Sequence, residues 1–105
     1  MRFERTESFK ADYRRLTKEE QGIFRAAALE FSAACDRHVN SRTPFPGKFR
    51  AKDVKGAKGV LEMTWSFAGP DGRATWEWTT VIVGGATYPA VLWRRVGSHR
   101  IFSNP

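Results

Sequence analysis

Cations dominate the side chains that could do chemistry, and many of them gather in the second half of the chain. Lys48, Arg50 and Lys52 alternate with uncharged residues, and on a β-strand this spacing would point all three to one side. Lys55 and Lys58 follow and extend the positive charge into a loop. Such a row of cations fits the phosphates of a polyanion, although an edge strand protected from aggregation by its charges has the same pattern.

Further candidates lie closer to the C-terminal end. Arg73 begins an alternating segment beside a turn sequence, where its guanidinium could hold a phosphate through two hydrogen bonds or pair with Asp71 on the surface. Arg94 and Arg95 are consecutive, so on a strand they should face opposite sides, and one of them should share the face of Arg73. His99 follows, and an imidazole can act as a general acid or base near neutral pH, although a lone histidine is more often structural or merely exposed.

The remaining reactive side chains exclude several classes of site. Cys35 is the only cysteine, so the chain can form no internal disulfide. With only His38 and His99 beside it, a zinc cage lacks ligands, and we expect no metal and no cofactor. The first residues are charged where a signal peptide needs an apolar run, and no stretch approaches the ~18 apolar residues of a membrane span. We therefore expect a cytoplasmic location and no membrane partner.

The charge balance favours an anionic partner. Eighteen Lys and Arg against eleven Asp and Glu give a net charge of +7. Residues 1–47 hold nine basic and seven acidic residues, whereas residues 48–105 hold nine basic and four acidic ones. The excess attracts phosphate polymers whatever the fold, so a nucleic acid, RNA in particular, and an acidic protein are the two partners that we expect.

The hydrophobic periodicity predicts one α+β domain over residues 1–105. Residues 2–5 could form a first strand, and a short helix is expected from Glu7 to about Arg15. Residues 17–20 read as a capping box that begins a longer helix ending near Arg37. We expect these two helices to form an antiparallel hairpin packed on one face of a small twisted antiparallel sheet.

From Leu61 the periodicity changes to two. Residues 61–67 and 73–78 alternate around a turn at 69–72. A register with Trp65 opposite Trp76, Met63 opposite Trp78 and Phe67 opposite Ala74 would put every apolar residue on the helix side. A last strand is expected at Ala90–Val96, while residues 79–89 fit either a strand or a loop. The other face of the sheet should be polar and open.

Taken together, the motifs resemble the RelE/ParE superfamily of bacterial toxins, and more narrowly its RelE/HigB-type branch. The resemblance covers nearly the whole chain. Its most specific parts are Asp71-Gly72-Arg73-Ala74-Thr75 and Arg94-Arg95-Val96-Gly97-Ser98-His99, supported by Ser8-Phe9-x-x-Asp12-Tyr13 at the start.

The resemblance implies a microbial-RNase-like fold and a type II toxin–antitoxin toxin that cleaves messenger RNA in the ribosomal A site without a metal. It implies that Arg73 stabilises the charged phosphorane, that Lys52 orients RNA and assists proton transfer, and that His99 is the acid or base. It also implies inhibition by a cognate acidic antitoxin. The expected RNA-binding cations are Lys48, Arg50, Lys55, Lys58, Arg94, Arg95 and Arg100.

Two alternatives remain open at this point. The chain could be a ParE-like toxin directed at DNA gyrase, or an inactive member that only binds its antitoxin. A DNA-binding regulator is disfavoured, because both predicted helices are committed to the core and no recognition helix is left.

Overall fold

The computed structural model describes residues 1–66 and 72–105, which form two α-helices packed on a five-stranded sheet. The elements are, in chain order, β1 (Arg2–Arg5), α1 (Glu7–Arg15), α2 (Lys18–Ser41), a 3₁₀ turn (Gly47–Phe49), β2 (Lys52–Asp53), β3 (Leu61–Thr64), β4 (Arg73–Val83), β5 (Ala86–Gly97) and a C-terminal 3₁₀ segment (His99–Ser103). The sheet order is β1-β5-β4-β3-β2; β1 is parallel to β5, and the other neighbours are antiparallel. The α+β class is confirmed, but the sheet is mixed rather than antiparallel.

Local side-chain caps fix where both helices begin. The Thr6 hydroxyl accepts a hydrogen bond from the backbone N–H of Phe9 and starts α1. The predicted capping box is present: Thr17 Oγ1 accepts from the N–H of Glu20 at 3.1 Å, and Glu20 Oε1 accepts from the N–H of Thr17 at 2.9 Å. The second helix continues four residues beyond its predicted end at Arg37 and stops at a left-handed residue, Arg42.

An aromatic core lies between the helices and one face of the sheet. From the helices, Phe24 and Phe31 contact the ring of Trp93 at centroid distances of 5.3 and 5.5 Å. Trp65 and Trp76 are also buried, as their alternation predicted, and Trp78 is half-buried against the same cluster. Each fully buried large apolar side chain contributes roughly 1.5–3 kcal/mol, so this cluster determines which face of the sheet the helices cover.

The predicted pairing of β3 with β4 has the right faces and the wrong register. Trp76 lies opposite Leu61 rather than Trp65, and Ala74 lies opposite Met63 rather than Phe67. The shift is four residues, an even number, so the apolar side chains stay on the helix side. Residues 67–71, which include Phe67 and the first three residues of the turn predicted at 69–72, lie outside the described part of the chain.

The shifted register depends on a close approach between Trp65 and Gly72. The N–H of Trp65 donates to the Gly72 carbonyl at 3.1 Å, and its indole Nε1 donates to the Arg73 carbonyl at 2.9 Å. A Cβ on Gly72 would lie 2.8 Å from a ring carbon of Trp65 and 2.6 Å from Cβ of Ser66. Glycine is therefore required here by space rather than by backbone angle.

Strands β4 and β5 form a long hairpin whose middle had been ambiguous between strand and loop. Residues 79–89 extend both strands around Gly84 and Gly85, which have positive φ angles of 57° and 81°, as a two-residue hairpin turn requires. One irregularity matters for the site: Thr75 pairs with Arg95 and Trp76 with Trp93, so Arg94 is an inserted residue, a β-bulge. Within the described residues, we find no helix with the length and apolarity needed to cross a membrane.

Candidate nucleic-acid interface

The sheet face opposite the helices carries the polar residues of β3 and β4, and we call it the polar face. Glu62 and Thr64 of β3, and Arg73, Thr75 and Glu77 of β4, alternate with the core residues of the same strands. Neighbouring strands arrange these residues in rows, because directly paired residues point to the same side of a sheet. The polar face is where the predicted catalytic cations are expected to meet.

One row crosses four strands and brings Lys52 onto the polar face. Lys52 pairs with Glu62, Glu62 with Thr75, and Thr75 with Arg95. The side chain of Lys52 is exposed at the edge of the sheet, whereas Thr75 is fully buried. A cation, a carboxylate and a hydroxyl group thus follow one another across this face.

The neighbouring row contains Arg73, which pairs with Thr64 on one side and Gly97 on the other. Its predicted place on the polar face at the start of a strand is confirmed, but its residue exposure is only 7%, so it is not a surface arginine. One guanidinium nitrogen, Nη1, donates to the Gly72 carbonyl at 3.2 Å. Beside it, the buried hydroxyl of Thr64 makes no hydrogen bond within the described residues.

Of the three predicted catalytic residues, the sheet register brings Lys52 and Arg73 to the polar face, whereas His99 lies beyond the end of β5. Lys52 lies two strands and two residues away from Arg73, which corresponds to about 12 Å between Cα atoms at the usual strand spacing and rise. His99 comes two residues after Gly97, the partner of Arg73. It is exposed and packs edge-on against Phe102 at 5.6 Å. The long side chains of Lys52 and Arg73 can reach a shared ligand between them, with His99 at the end of the same strand pair.

The prediction that residues 48–52 form a strand with three cations on one side is wrong. Gly47–Phe49 is a 3₁₀ turn, Arg50 has a left-handed φ of 47°, and β2 contains only Lys52–Asp53. The physical reason is Phe49, which is buried against Phe31 at 5.5 Å and draws the backbone into a turn. Lys48 consequently reaches α2 and forms an ion pair with Glu30.

The other basic side chains of this region remain exposed. Arg50 and Lys52 precede the predicted loop, and Lys55 and Lys58 lie within it. The loop contains Gly56 and Gly59, whose φ angles are +83° and +81°. These four cations lie beside the β2–β3 edge of the sheet, so they supply a local positive field rather than an ordered track.

Arg94 and Arg95 of β5 donate hydrogen bonds to acceptors within the protein. The prediction that their side chains lie on opposite sides of the strand is wrong. Because Arg94 is the bulged residue, both side chains lie on the polar side of the strand. Arg94 Nη1 donates to Glu77 Oε2 at 2.9 Å. Arg95 binds Asp12 of α1 through Nε–Oδ2 at 2.6 Å and Nη2–Oδ1 at 3.1 Å, and this hydrogen bonding raises the pKa of Arg95 above its ordinary value. Their role as RNA-binding residues stays a prediction.

The C-terminal segment, residues 98–105, folds back over the polar face. The Ser98 hydroxyl caps its 3₁₀ turn, and Ile101 is buried beside Gly97. The main-chain oxygen of Asn104 accepts from Arg95 Nη1 at 2.9 Å, and that of Pro105 accepts from Thr75 Oγ1 at 3.2 Å and Arg94 Nε at 3.1 Å. Arg100 remains exposed on this segment. The segment is the reason why Thr75 is buried on a face that the sequence predicted to be open.

Several residues of this site were not identified as functional candidates from the sequence. Asp12 is three positions after the core residue Phe9, and a carboxylate on the buried stripe of a helix needs a partner, so its pairing could have been foreseen. Glu62, Thr64 and Thr75 occupy polar positions of alternating strands, but only the observed register places them beside Lys52 and Arg73. The contacts of residues 104 and 105 had no sequence signal.

The described residues contain no group of three or more His, Cys, Asp or Glu side chains that could hold a metal ion. The polar face offers a buried guanidinium, exposed ammonium groups and the carboxylate of Glu62, and the exposed imidazole of His99 follows the end of β5. These groups can bind a phosphate and move a proton.

The chain matches no protein-family model, no curated protein and no solved structure.

Proposed function

We propose that this chain is a metal-independent endoribonuclease that cleaves messenger RNA in the ribosomal A site, and that it acts in the cytoplasm as the toxin of a type II toxin–antitoxin module. One observation carries the proposal: Arg73, buried on the polar face, lies beside Thr64, whose hydroxyl makes no hydrogen bond to the described residues, and across the ladder from the strand end that leads to His99. A guanidinium can hold a phosphate group through two hydrogen bonds.

The reaction that these groups support is internal transfer of the RNA phosphate. The ribose 2′-hydroxyl attacks the adjacent phosphorus and loses its proton, and the bond from phosphorus to the 5′-oxygen breaks. The products are a 2′,3′-cyclic phosphate and a 5′-hydroxyl end. In this proposal Glu62, on the polar face beside Lys52, accepts the first proton, and His99, which follows the end of β5, donates the second.

Arg73 and Lys52 contribute electrostatic stabilisation in this proposal. The transition state carries more negative charge on the phosphate oxygens than the substrate, so cations fixed beforehand lower its free energy more than that of the ground state. The low exposure of Arg73 strengthens its interaction with a bound phosphate, because little water screens it. Lys52, with Arg50, Lys55 and Lys58, attracts the RNA from the exposed edge.

The test is the substitution Arg73→Ala, with Arg14→Ala as the control because Arg14 is an exposed arginine of α1. Each variant is expressed from an inducible promoter, and growth and cellular messenger RNA are followed by primer extension. We expect wild type and Arg14→Ala to arrest growth and to produce cuts with codon periodicity, and Arg73→Ala to lose at least about a hundredfold in cleavage rate. A folded Arg73→Ala protein that still arrests growth and cuts RNA would refute the proposal.

A second candidate function is an interaction protein without nuclease activity, either a gyrase-directed toxin or an inactive antitoxin-binding member. The observation in its favour is that Arg94 and Arg95 are paired with Glu77 and Asp12, which leaves fewer cations for RNA than the sequence suggested. Intact messenger RNA during growth arrest, together with gyrase-linked DNA breaks, would select the gyrase-directed toxin.

The proposed partner in the cell is an acidic antitoxin. A net charge of +7, with exposed cations beside the polar face, favours an acidic segment that covers this face and excludes RNA. Co-expression with the neighbouring open reading frame should restore growth if that frame encodes the antitoxin, and the complex should be less basic than the free chain.

A further inference from the structure

Two donors converge on one oxygen atom at the centre of the polar face. Thr75 Oγ1 and Arg94 Nε lie 3.2 and 3.1 Å from the main-chain oxygen of Pro105. Thr75 is fully buried, so its hydroxyl is fixed in direction and has lost contact with bulk water. A hydroxyl and a guanidinium N–H that meet at one acceptor form a site for an oxygen that carries negative charge.

The surroundings orient this pair of donors toward an anion. Glu77 holds the Nη1 side of the Arg94 guanidinium at 2.9 Å, which leaves the Nε edge directed at the Pro105 oxygen. Arg73 is two residues from Thr75 on the same strand and the same face, at about 7 Å along the strand. A phosphodiester spans a comparable distance between successive phosphates, so one strand of nucleic acid can contact both positions.

Few hydrogen bonds among the described residues hold residues 104 and 105 to the sheet. The Pro105 oxygen accepts two and the Asn104 oxygen accepts one, from Arg95 Nη1. The Asn104 N–H donates within the segment, to the Ile101 carbonyl at 3.1 Å, and Ile101 is the apolar anchor. Residues 104 and 105 can therefore lift from the sheet while Ile101 stays buried, because a phosphate oxygen that accepts from the same donors replaces the hydrogen bonds that are lost.

We propose that Thr75 and Arg94 form an oxyanion subsite, which the Pro105 oxygen occupies in the free protein and which a phosphate oxygen of a bound nucleic acid takes over when residues 104 and 105 move away. The inference rests on the proposed function for the identity of the anion as an RNA phosphodiester. It adds that the segment and the RNA compete, so the free protein binds RNA more weakly than its polar face allows.

The experiment measures binding without cleavage. A fluorescent 12-nucleotide RNA with 2′-O-methyl groups, which lacks the attacking hydroxyl, is titrated with protein at fixed low salt and followed by anisotropy. Removal of residues 104 and 105 should lower Kd roughly tenfold, since the RNA no longer displaces the segment. The control Pro105→Ala keeps the main-chain oxygen and should leave Kd within about twofold of wild type.

A second variant tests the donors themselves. Thr75→Val, made in the shortened chain, keeps the shape of the side chain and removes the hydroxyl, and it should cancel most of the gain in affinity. Equal Kd values for the full and shortened chains, or a shortened chain that gains affinity equally with and without the Thr75 hydroxyl, would overturn the proposal.

Folding and function are separated by a third measurement. If the shortened chain fails to fold, titration of the full chain with inorganic phosphate is followed by the NMR signal of the Arg94 Nε–H group. A saturable shift that is lost in Thr75→Val supports the subsite, and no shift overturns it. If the chain shows this competition but cuts no RNA, the nuclease proposal is refuted and the oxyanion subsite is not.

Discussion

Asp12 provides the sharpest test of how the polar face is held together. Its carboxylate accepts hydrogen bonds from Arg95 Nε at 2.6 Å, from Arg95 Nη2 at 3.1 Å and from the backbone N–H of Val96 at 3.2 Å. The Asp12 side chain is 7% exposed and that of Arg95 is 24% exposed. The substitution Asp12→Ala would leave a guanidinium without its carboxylate and a buried N–H without an acceptor.

The expected cost is about 3–5 kcal/mol, the range found when one partner of a buried ion pair is removed. The unpaired N–H of Val96 alone accounts for about 1–3 kcal/mol of this loss. The assay is urea denaturation followed by tryptophan fluorescence, since Trp93 lies two residues from Arg95 in the core. Glu30→Ala is the matched control, because it also removes a helix carboxylate paired with a distant cation, but at an exposed site; we expect it to cost less than about 1 kcal/mol.

A double-mutant cycle of Asp12→Ala and Arg95→Ala isolates the pair itself. The two substitutions should be strongly non-additive, with a coupling free energy of roughly 1–3 kcal/mol. If Asp12→Ala costs no more than Glu30→Ala, or if the coupling is near zero, the reasoning that assigns Arg95 to the fold is refuted. Arg95 would then be available to RNA, as the sequence had suggested.

Two further substitutions test the core that supports the polar face. Gly72→Ala should lower the free energy of unfolding by about 1–3 kcal/mol, because the new Cβ would meet the Trp65 ring. Gly47→Ala is the control and should cost much less, because the space around its Cβ is open. Equal losses for the two variants in urea denaturation would contradict this. Burial raises the pKa of the Cys35 thiol to about 12, so the protonated thiol contributes its full stability below about pH 9 and loses it as the pH rises toward 12. Above pH 9, the free energy of unfolding of the wild type should therefore fall relative to that of Cys35→Ala by about 1.4 kcal/mol per pH unit. A difference that does not depend on pH would show that the thiol does not titrate in this way.

Alternation predicted the faces of the sheet but not its pairing. The apolar positions of β3 and β4 lie on the helix side as predicted, because a side chain's face depends only on parity along its strand. The observed register differs from the predicted one by four residues, and an even shift leaves every side chain on the same face, so alternation cannot distinguish the two registers. The close contact between Trp65 and Gly72 favours the observed register, and a hydrophobic periodicity gives no information about such a contact.

In the basic segment at residues 48–52, the sequence has the alternating pattern of a strand, but the chain does not form a strand over this range. Lys48, Arg50 and Lys52 alternate as a strand would, yet the burial of Phe49 turns the chain and separates Lys48 from the others. One large aromatic side chain outweighs the weak strand preference of its charged neighbours, because its burial contributes more free energy than their backbone pairing.

Counting charges also overestimates what is available to a ligand, because pairing depends on contacts between distant segments. Arg94 is paired with Glu77 across a bulge, and Arg95 with Asp12, 83 residues earlier in the chain. Arg73 pairs with Thr64 and Gly97 across the ladder and is only 7% exposed. The arginines of the last strand thus hold α1 and the C-terminal segment in place, while the lysines of residues 52–58 remain exposed. The proposed place for phosphate chemistry on the polar face is therefore the buried position of Arg73, beside the Thr64 hydroxyl, which makes no hydrogen bond to any described residue.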